Sequence, residues 1–295
     1  MIKRIVEISA APTYISVKDM QLVLKQKGEI IGSIPIEDLG VLMVDHPGCT
    51  YSHAALNELL ANNVAVVICG KNHHPNGLLL PLDTHSVQSE RYRVQIAAKV
   101  PVKKRLWKQL VQAKIRHQAW CLDCCERKGG DGLRALAGKV RSGDAENHEA
   151  QAAARYWKAL FGSDFRRKRD GLPPNGMLNY GYTVLRAAVA RALCSGGLHP
   201  SFGLHHHNRY NAYPLADDMM EPFRPMVDSL VFRLWQQGDV CVTQSVKQVL
   251  LGVLTQDVCL GEDKRPLMNA LHMLSASLYR VLGGDAECLA IPVPV

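Results

Sequence analysis

Short runs of apolar and β-branched residues, separated by turn signals, fill the first 83 residues of the chain. Runs of this kind, with alternating or continuous apolar positions, are typical of β-strands. They predict strands at 4–9, 14–17, 21–26, 30–36, 41–44, 64–69 and 78–80. Lys27-Gly28 and Asn76-Gly77 predict turns, and Ser52 predicts the N-cap of one short helix. We therefore expect a small β domain that includes one helix.

The apolar period becomes helical from about residue 89 onward. The predicted helical segments are 91–100, 104–122, 147–161, 179–194 and 226–237. In the third of these, Ala150, Ala154, Trp157 and Phe161 form a predicted apolar stripe. The change of period predicts three regions, which are a β-rich N-terminal domain (1–83), a polar linker (84–95) and a helical domain (96–295).

Length, composition and cysteine usage favour a folded two-domain protein in a reducing compartment. A chain of 295 residues exceeds the usual size of one core, and 47% of its residues are apolar. Apolar runs such as 64–69 are far too short to span a membrane, and the first residues lack the apolar core of a secretory signal. The nine cysteines form no regular framework. These features predict a cytoplasmic protein.

Positive charge is concentrated in the second part of the chain. The whole sequence holds 35 Lys and Arg against 27 Asp and Glu, a net charge of +8. Residues 1–83 hold six basic and eight acidic side chains, so the remaining residues hold 29 and 19. A basic domain of this kind commonly binds a polyanion such as nucleic acid. A solvated surface that favours solubility is the alternative, and charge alone leaves both open.

Candidate metal ligands are densest in segment 203–225. Three consecutive histidines, 205–207, precede a cluster formed by Asp217, Asp218 and Glu221. Imidazole and carboxylate groups together bind divalent metals, and two acids three residues apart share a helix face. The histidines can equally form a solvated loop, and the paired aspartates can cap a helix.

A third acidic ligand has to come from another part of the chain, and Glu149 is the best candidate. It lies in the first turn of an alanine-rich predicted helix, where small neighbours leave room for a substrate or for other backbone. An acidic side chain in that turn also complements the helix dipole, which contributes roughly 0.3–1 kcal/mol. Spacing alone favours neither role.

Two basic runs and one cysteine cluster are weaker signals. The runs, 103–105 with Lys108 and 166–169, could contact phosphates or face solvent. The cluster consists of His117, Cys121, Cys124 and Cys125. It offers part of a zinc site, but no second CxxC follows, so packing is the preferred interpretation. The chain has no phosphate-binding loop and no dinucleotide-binding motif, so ATP-driven and dinucleotide chemistry find no support.

Four segments, in this order, resemble the CRISPR-associated spacer-acquisition integrases, in the version of type II systems. They are RSGDAENHEAQAA (141–153), LNYGYTVLRAAVAR (178–191), GLHH (203–206) and LADDMMEPFRP (215–225). The resemblance covers nearly the whole chain. It implies an α+β fold of two domains, with an N-terminal β-sandwich-like dimerisation domain followed by an all-α catalytic domain.

The resemblance also implies the site. Its metal ligands correspond to Glu149, one histidine of the triplet and Glu221, and they hold Mg²⁺ or Mn²⁺. His206 is chosen because the pattern of the family places the second glutamate fifteen residues after the histidine, as His206 and Glu221 are spaced. His205 is the fallback, and Asp218 is expected to bind the metal or to position His206.

Other residues are assigned roles from their position near these motifs. Arg224 is expected to act as a structural or phosphate-binding base. Tyr180 and Tyr182 are expected near the substrate, although core packing is the preferred interpretation for Tyr182.

The activity implied is a transesterification, in which the 3′-hydroxyl of a short DNA fragment attacks a phosphodiester at the edge of a CRISPR repeat, with related endonuclease activity. The implied partners are double-stranded DNA, a second copy of the chain and a small ferredoxin-like adaptation protein. Two alternatives stay open. One is a non-catalytic DNA-binding scaffold, and the other is a general metal-dependent nuclease for branched DNA.

Overall fold

The computed structural model describes residues 3–70, 75–206 and 208–295. Strands dominate the N-terminal part of the chain, and helices dominate the longer part that follows. His207, the last member of the histidine triplet, lies outside the described residues. Within these ranges, none of the helices combines the length and apolarity that crossing a bilayer requires.

In the N-terminal part, the described residues form two sheets. Its strands are β1 (Arg4–Ile8), β2 (Tyr14–Lys18), β3 (Gln21–Gln26), β4 (Glu29–Pro35), β5 (Leu39–Val44), β6 (Thr50–Tyr51), β7 (Ala65–Cys69) and β8 (Pro75–Leu79). One sheet has the order β1-β5-β7-β8 and the other the order β4-β3-β2-β6. Helix α1 (His53–Ala61) precedes β7. Apolar side chains from both sheets and from α1 share one buried cluster, so the sheets face each other as layers.

Local turn and cap chemistry explains two of the sequence predictions. Lys27 and Gly28 have φ angles of 50° and 89°, as the two-residue hairpin between β3 and β4 requires. The Ser52 hydroxyl accepts a hydrogen bond of 3.1 Å from the Ala55 amide and caps α1. The turn predicted at Asn76-Gly77 is wrong, because both residues lie inside β8. Pairing of β8 with β7 along the sheet outweighs the local preference for a turn.

Helices form most of the second part. They are α2 (Gln88–Ala97), α3 (Val100–Cys124), α4 (Gly130–Lys139), α5 (His148–Phe161), α6 (Asn175–Ser195), α7 (Pro214–Met220), α8 (Arg224–Gln236), α9 (Gln244–Leu251) and α10 (Leu267–Gly283). Helix α6 is buried along most of its length and forms the centre of this part. The strands β9 (Asp257–Leu260), β10 (Asp263–Pro266) and β11 (Val293–Pro294) form a small antiparallel sheet. This sheet departs from the all-α architecture that the resemblance implies, because the C-terminal residues pair with a hairpin.

Helix α5 turns a different face inward from the predicted one. His148, Ala152, Tyr156 and Leu160 are buried, whereas Ala150 and Ala154 of the predicted stripe are exposed. Trp157 and Phe161 are only half-buried. The stripe prediction is wrong because the exposed alanines bury little area, whereas Tyr156 and Leu160 gain more from packing. The Tyr156 hydroxyl also donates to Asp228 at 2.8 Å, which fixes the rotation of the helix.

The two parts of the chain share a core. Val41, Met43, Ala65 and Val67 of the first sheet belong to the same apolar cluster as the helices. Much of the predicted linker is helical and lies in α2. Within it, Arg91 Nη1 donates to the Gly196 carbonyl at 2.7 Å and Gln95 Nε2 to the His199 carbonyl at 2.8 Å. The domain boundaries themselves stay a prediction.

A buried arginine also joins the two parts. Arg191 of α6 donates through Nε to the Asn63 carbonyl at 2.5 Å, and its Nη1 lies 2.9 Å from His272 Nε2. Burial, with the charges of Arg191 and Lys3, lowers the pKa of His272 to about 4. His272 is therefore neutral in the folded protein at neutral pH and accepts the hydrogen bond from Arg191.

We expect His272 to make the protein sensitive to acid. The ordinary pKa of a histidine is 6.5, so below that pH the unfolded chain binds a proton that the folded chain excludes. Stability is therefore unaffected by His272 above pH 6.5 and is lost as the pH falls toward 4. Between pH 7 and pH 5 the lost stability is about 2 kcal/mol. Urea unfolding at these two values should show a smaller loss in His272→Gln, and an equal loss would contradict the prediction.

Candidate metal centre

Glu149 reaches the site from the start of α5. The Asp144 carboxylate accepts hydrogen bonds of 2.9 Å from the amides of both His148 and Glu149 and so caps the helix. Gly143, Asp144 and Asn147 all have positive φ angles, and the chain turns sharply just before α5. The cap at the helix N-terminus is thus supplied by Asp144. The Glu149 side chain instead extends to Lys114 of α3, with 2.6 Å between Oε1 and Nζ.

Glu221 reaches the same lysine from the opposite side. It follows α7 in a single helical turn, and its side chain is 5% exposed. Its Oε2 lies 2.5 Å from Lys114 Nζ and its Oε1 lies 2.8 Å from Arg224 Nε. Burial opposes ionisation, but Arg224 and Lys114 together lower the pKa of Glu221 to about 2. The carboxylates of Glu149 and Glu221 therefore face each other across one ammonium group.

Asp218 positions His206. Its carboxylate is fully buried and accepts hydrogen bonds from the amides of Leu204 (2.6 Å), His205 (3.0 Å) and His206 (3.2 Å). The same carboxylate lies 2.5 Å from His206 Nδ1. This hydrogen bond raises the pKa of His206 and directs Nδ1 toward Asp218. Nε2 is left as the nitrogen that can bind a ligand, as in carboxylate–histidine–metal arrangements.

His205 has a different environment. Its ring stacks on Trp107, with ring centroids 4.1 Å apart and an interplanar angle of 2°. The His206 ring meets the same Trp107 edge-on, at 5.6 Å. His206 also interacts electrostatically with Glu221, and this interaction contributes to the pKa of both groups. The electrostatic interaction therefore groups His206 with Glu221, whereas the ring of His205 packs on the tryptophan.

The residues present fit a divalent cation, although their side chains are not yet arranged around a metal position. Among the described residues, no set of three His, Cys, Asp or Glu side chains already has metal-binding geometry. Lys114 explains this, because its ammonium lies between the two carboxylates. The buried Oε2 of Glu221 meets that ammonium at close range yet lacks hydrogen-bond geometry. Two carboxylates with an imidazole nitrogen beside them match the donors that Mg²⁺ and Mn²⁺ accept.

Arginines and aromatic rings line a cavity of about 920 Å³ beside this group. Its wall includes Arg167, Arg169, Arg186, Tyr182, Tyr210, Tyr213 and Arg224. The guanidinium groups of Arg224 and Arg167 lie 4.7 Å and 5.3 Å from the centre of the Tyr182 ring. The Tyr182 hydroxyl in turn donates to the buried Asp228. The cavity thus combines fixed positive charge with an aromatic surface, which suits a nucleic-acid backbone and its bases.

Asp217 and Tyr180 have structural roles and are not among the proposed ligands. Arg186 binds the Asp217 carboxylate through Nε at 2.6 Å and Nη2 at 3.0 Å, so Asp217 fixes the cavity wall. The Tyr180 hydroxyl lies 3.3 Å from a Glu7 carboxylate oxygen and 2.9 Å from the Met43 sulfur. It therefore packs against the N-terminal sheet, whereas Tyr182 both packs and lines the cavity.

The two basic runs and the cysteine cluster also differ in their relation to the site. Arg167 of the second basic run lines the cavity, whereas Lys104 and Arg105 of the first run are exposed. In the cysteine cluster, Cys121 is buried and its sulfur lies 3.2 Å from the Tyr156 hydroxyl. His117 instead pairs with the Pro222 carbonyl at 2.6 Å. The cluster therefore belongs to the packing around α3.

Lys114 and Asp228 are the members of the site that the sequence left unassigned. Both lie on helices with ordinary apolar periodicity, where a single charged residue resembles any solvated position. Lys114 gains its partners where α3 meets α5 and the turn before α8, and Asp228 gains its partners from α5 and α6. For Lys114, the one signal in the sequence was the basic character of the helical part as a whole.

Comparison with known proteins agrees with these observations. The family model described as "CRISPR associated protein Cas1" matches residues 6–258. A CRISPR-associated endonuclease Cas1 of Neisseria meningitidis serogroup C (strain 8013) is 35% identical over 285 residues, which cover 94% of this chain and 92% of the relative. A Cas1 endonuclease of Pyrobaculum aerophilum is 26% identical over 265 residues, 84% of this chain and 89% of the relative.

Two solved structures share the fold. A casposase bound to an integration product superimposes with a TM-score of 0.80 at 18% identity, over 97% of this chain and 92% of the casposase. A Cas1 protein from Thermotoga maritima superimposes with a TM-score of 0.71 at 16% identity, over 95% and 97% of the two chains. The family model and the Neisseria relative each span most of the sequence. The chain therefore belongs to the Cas1 family of CRISPR-associated proteins.

Proposed function

We propose that the chain is a metal-dependent DNA integrase of CRISPR adaptation, which inserts short double-stranded DNA into the CRISPR array and has related endonuclease activity. The observation that carries the proposal is the pair of carboxylates, Glu149 and Glu221, that face one cation position beside His206. An arginine-lined cavity adjoins this position. Metal-dependent phosphodiester chemistry uses both features, since the metal stabilises the developing charge and cationic side chains hold the phosphate. Membership of the Cas1 family supports the same activity.

Glu149, Glu221 and His206 are the proposed metal ligands. The two glutamates supply carboxylate oxygens and His206 supplies Nε2, while Asp218 holds the imidazole from its other side. A bound Mg²⁺ or Mn²⁺ would withdraw negative charge from the scissile phosphate and from the leaving oxygen. The imidazole favours Mn²⁺ relative to an all-oxygen site.

The residues around the ligands would position the DNA. Arg224 and Arg167, held against Tyr182, would bind phosphate oxygens on either side of the reacting group. The attacking 3′-oxygen forms a bond to phosphorus as the bond to the leaving 3′-oxygen breaks, and the proton of the attacking hydroxyl ends on the leaving one. One phosphodiester replaces another, so no external energy source is needed. Alignment of the two oxygens supplies much of the rate enhancement.

We further propose the assembly in which the reaction takes place. The partners are double-stranded DNA, a second copy of this chain and a small ferredoxin-like adaptation protein, and residues 1–83 would form the dimer contact. Support comes from solved relatives described as a Cas6-RT-Cas1–Cas2 complex and as a Cas1–DNA complex. Residues 96–295 would hold the catalytic part. The cysteines of the described chain are free thiols, which fits a cytoplasmic location.

A strand-transfer assay tests the proposed reaction. With Mn²⁺, a labelled DNA fragment and a supercoiled plasmid carrying a repeat, we expect products in which the label is covalently joined to the plasmid. Nicking without a new joint would indicate a nuclease, and binding unchanged by Mn²⁺ without any reaction would indicate a scaffold.

DNA affinity should also fall steeply with salt, because several phosphates are neutralised. A flat salt response would contradict the role of the arginine-lined cavity.

A further inference from the structure

The ammonium of Lys114 lies where the proposed metal ligands converge. Nζ is 2.6 Å from Glu149 Oε1 and 2.5 Å from Glu221 Oε2, and the lysine side chain is 13% exposed. Two ion pairs at this distance, on a largely buried side chain, hold the ammonium in place. A metal ion that binds both carboxylates therefore has to displace a tightly held cation.

Helix α3 offers a second position for this ammonium. Gln118 lies one turn after Lys114, and its Oε1 is buried without a hydrogen-bond partner among the described residues. Both side chains line a small cavity of about 170 Å³ next to Glu221. A buried acceptor without a donor is costly. An ammonium that moved into the cavity would supply the missing donor.

The positive charge of the small cavity means that the ammonium can occupy this second position only when an additional anion is present. Arg167 and Arg224 also line it, so a third cation there is repelled. Asp228 lines it too, but one carboxylate does not balance three cations once the metal holds Glu221. An additional anion therefore has to come from outside the protein. The small and the large cavity share Arg167, Tyr182 and Arg224, so a DNA phosphate bound by these arginines would be close enough to provide it.

We propose that the Lys114 ammonium is a placeholder, meaning that it occupies the position of the metal ion until the metal binds. The ammonium then withdraws toward Gln118, and this movement couples metal binding to DNA binding. The inference rests on the proposed function, because it takes Glu149 and Glu221 as metal ligands. Without DNA, the two ion pairs of Lys114 compete with the metal. With DNA, a phosphate stabilises the withdrawn lysine, so each ligand increases the affinity for the other by the same factor.

Calorimetric titration with Mn²⁺ tests the placeholder. The DNA is a duplex with 3′-deoxy ends, which can bind but cannot be joined. We expect this DNA to tighten Mn²⁺ binding to the unaltered protein about 10-fold. Lys114→Met should bind Mn²⁺ about 10-fold more tightly than the unaltered protein without DNA, and should gain little from DNA. Gln118→Leu, which removes the acceptor, should bind Mn²⁺ about 5-fold more weakly in the presence of DNA.

Controls separate this inference from the proposed metal site. Lys139→Met changes an exposed lysine at the end of α4 and should leave Mn²⁺ binding unchanged. Thermal melting verifies that each variant is folded. If Glu149→Gln and Glu221→Gln do not weaken Mn²⁺ binding, the proposed metal site fails. If they do, but Lys114→Met does not tighten binding or Gln118→Leu does not weaken it, the placeholder is overturned while the metal site stands.

Discussion

Glu221→Gln is expected to reduce strand transfer about 1,000-fold, because it removes a charged metal ligand that supplies several kcal/mol of transition-state stabilisation. Glutamine keeps the size of the side chain and one oxygen. The fold should therefore survive, although Lys114 and Arg224 lose their shared anionic partner. Glu149→Gln should have an effect of the same order. Initial rates of joint formation at saturating Mn²⁺ measure both.

Glu146→Gln is the matched control for these variants. Glu146 lies three residues before Glu149, and its side chain is 55% exposed, so strand transfer should change by less than about 2-fold. The melting temperature of each variant shows whether the fold is intact. Full activity of a folded Glu221→Gln variant would remove Glu221 from the chemistry.

The strands and the hairpin could be predicted because their signals are local. Lys27-Gly28 fixes a turn through its own backbone preferences, and Ser52 caps α1 through a neighbouring amide. The buried face of α5 could not be predicted in this way. Its rotation depends on Asp228, 72 residues away, which binds Tyr156. Local pattern therefore gives the elements, whereas tertiary contacts decide how they face one another.

The candidate site shows the same division between local and distant information. Asp218, His206 and Glu221 lie in one segment, so the sequence already groups them as possible ligands. Glu149 is equally compatible with a helix-dipole role from spacing, and the resemblance to the integrases was needed to choose. Lys114 carries no signal of its own. It acquires a function only because α3 passes between the two glutamates.

The second large effect on strand transfer is expected from substitution of His206, and it distinguishes His206 from His205 as the metal ligand. His206→Ala is expected to lower strand transfer about 100-fold or more, because the nitrogen donor held by Asp218 is lost. His205→Ala should keep strand transfer within several-fold of the unaltered protein. It should instead lower stability by about 1 kcal/mol, because the ring stacked on Trp107 is removed. Joint formation and urea unfolding measure the two effects separately.

Asp218 gives this prediction a further test. If His206 acts through the orientation that Asp218 imposes, Asp218→Asn should reduce strand transfer about 10- to 100-fold while His206 is still present. The same variant should weaken Mn²⁺ binding, which a purely structural loss in the loop would not do as long as melting stays unchanged. The reverse pattern, with His205→Ala inactive and His206→Ala active, would assign the ligand to His205.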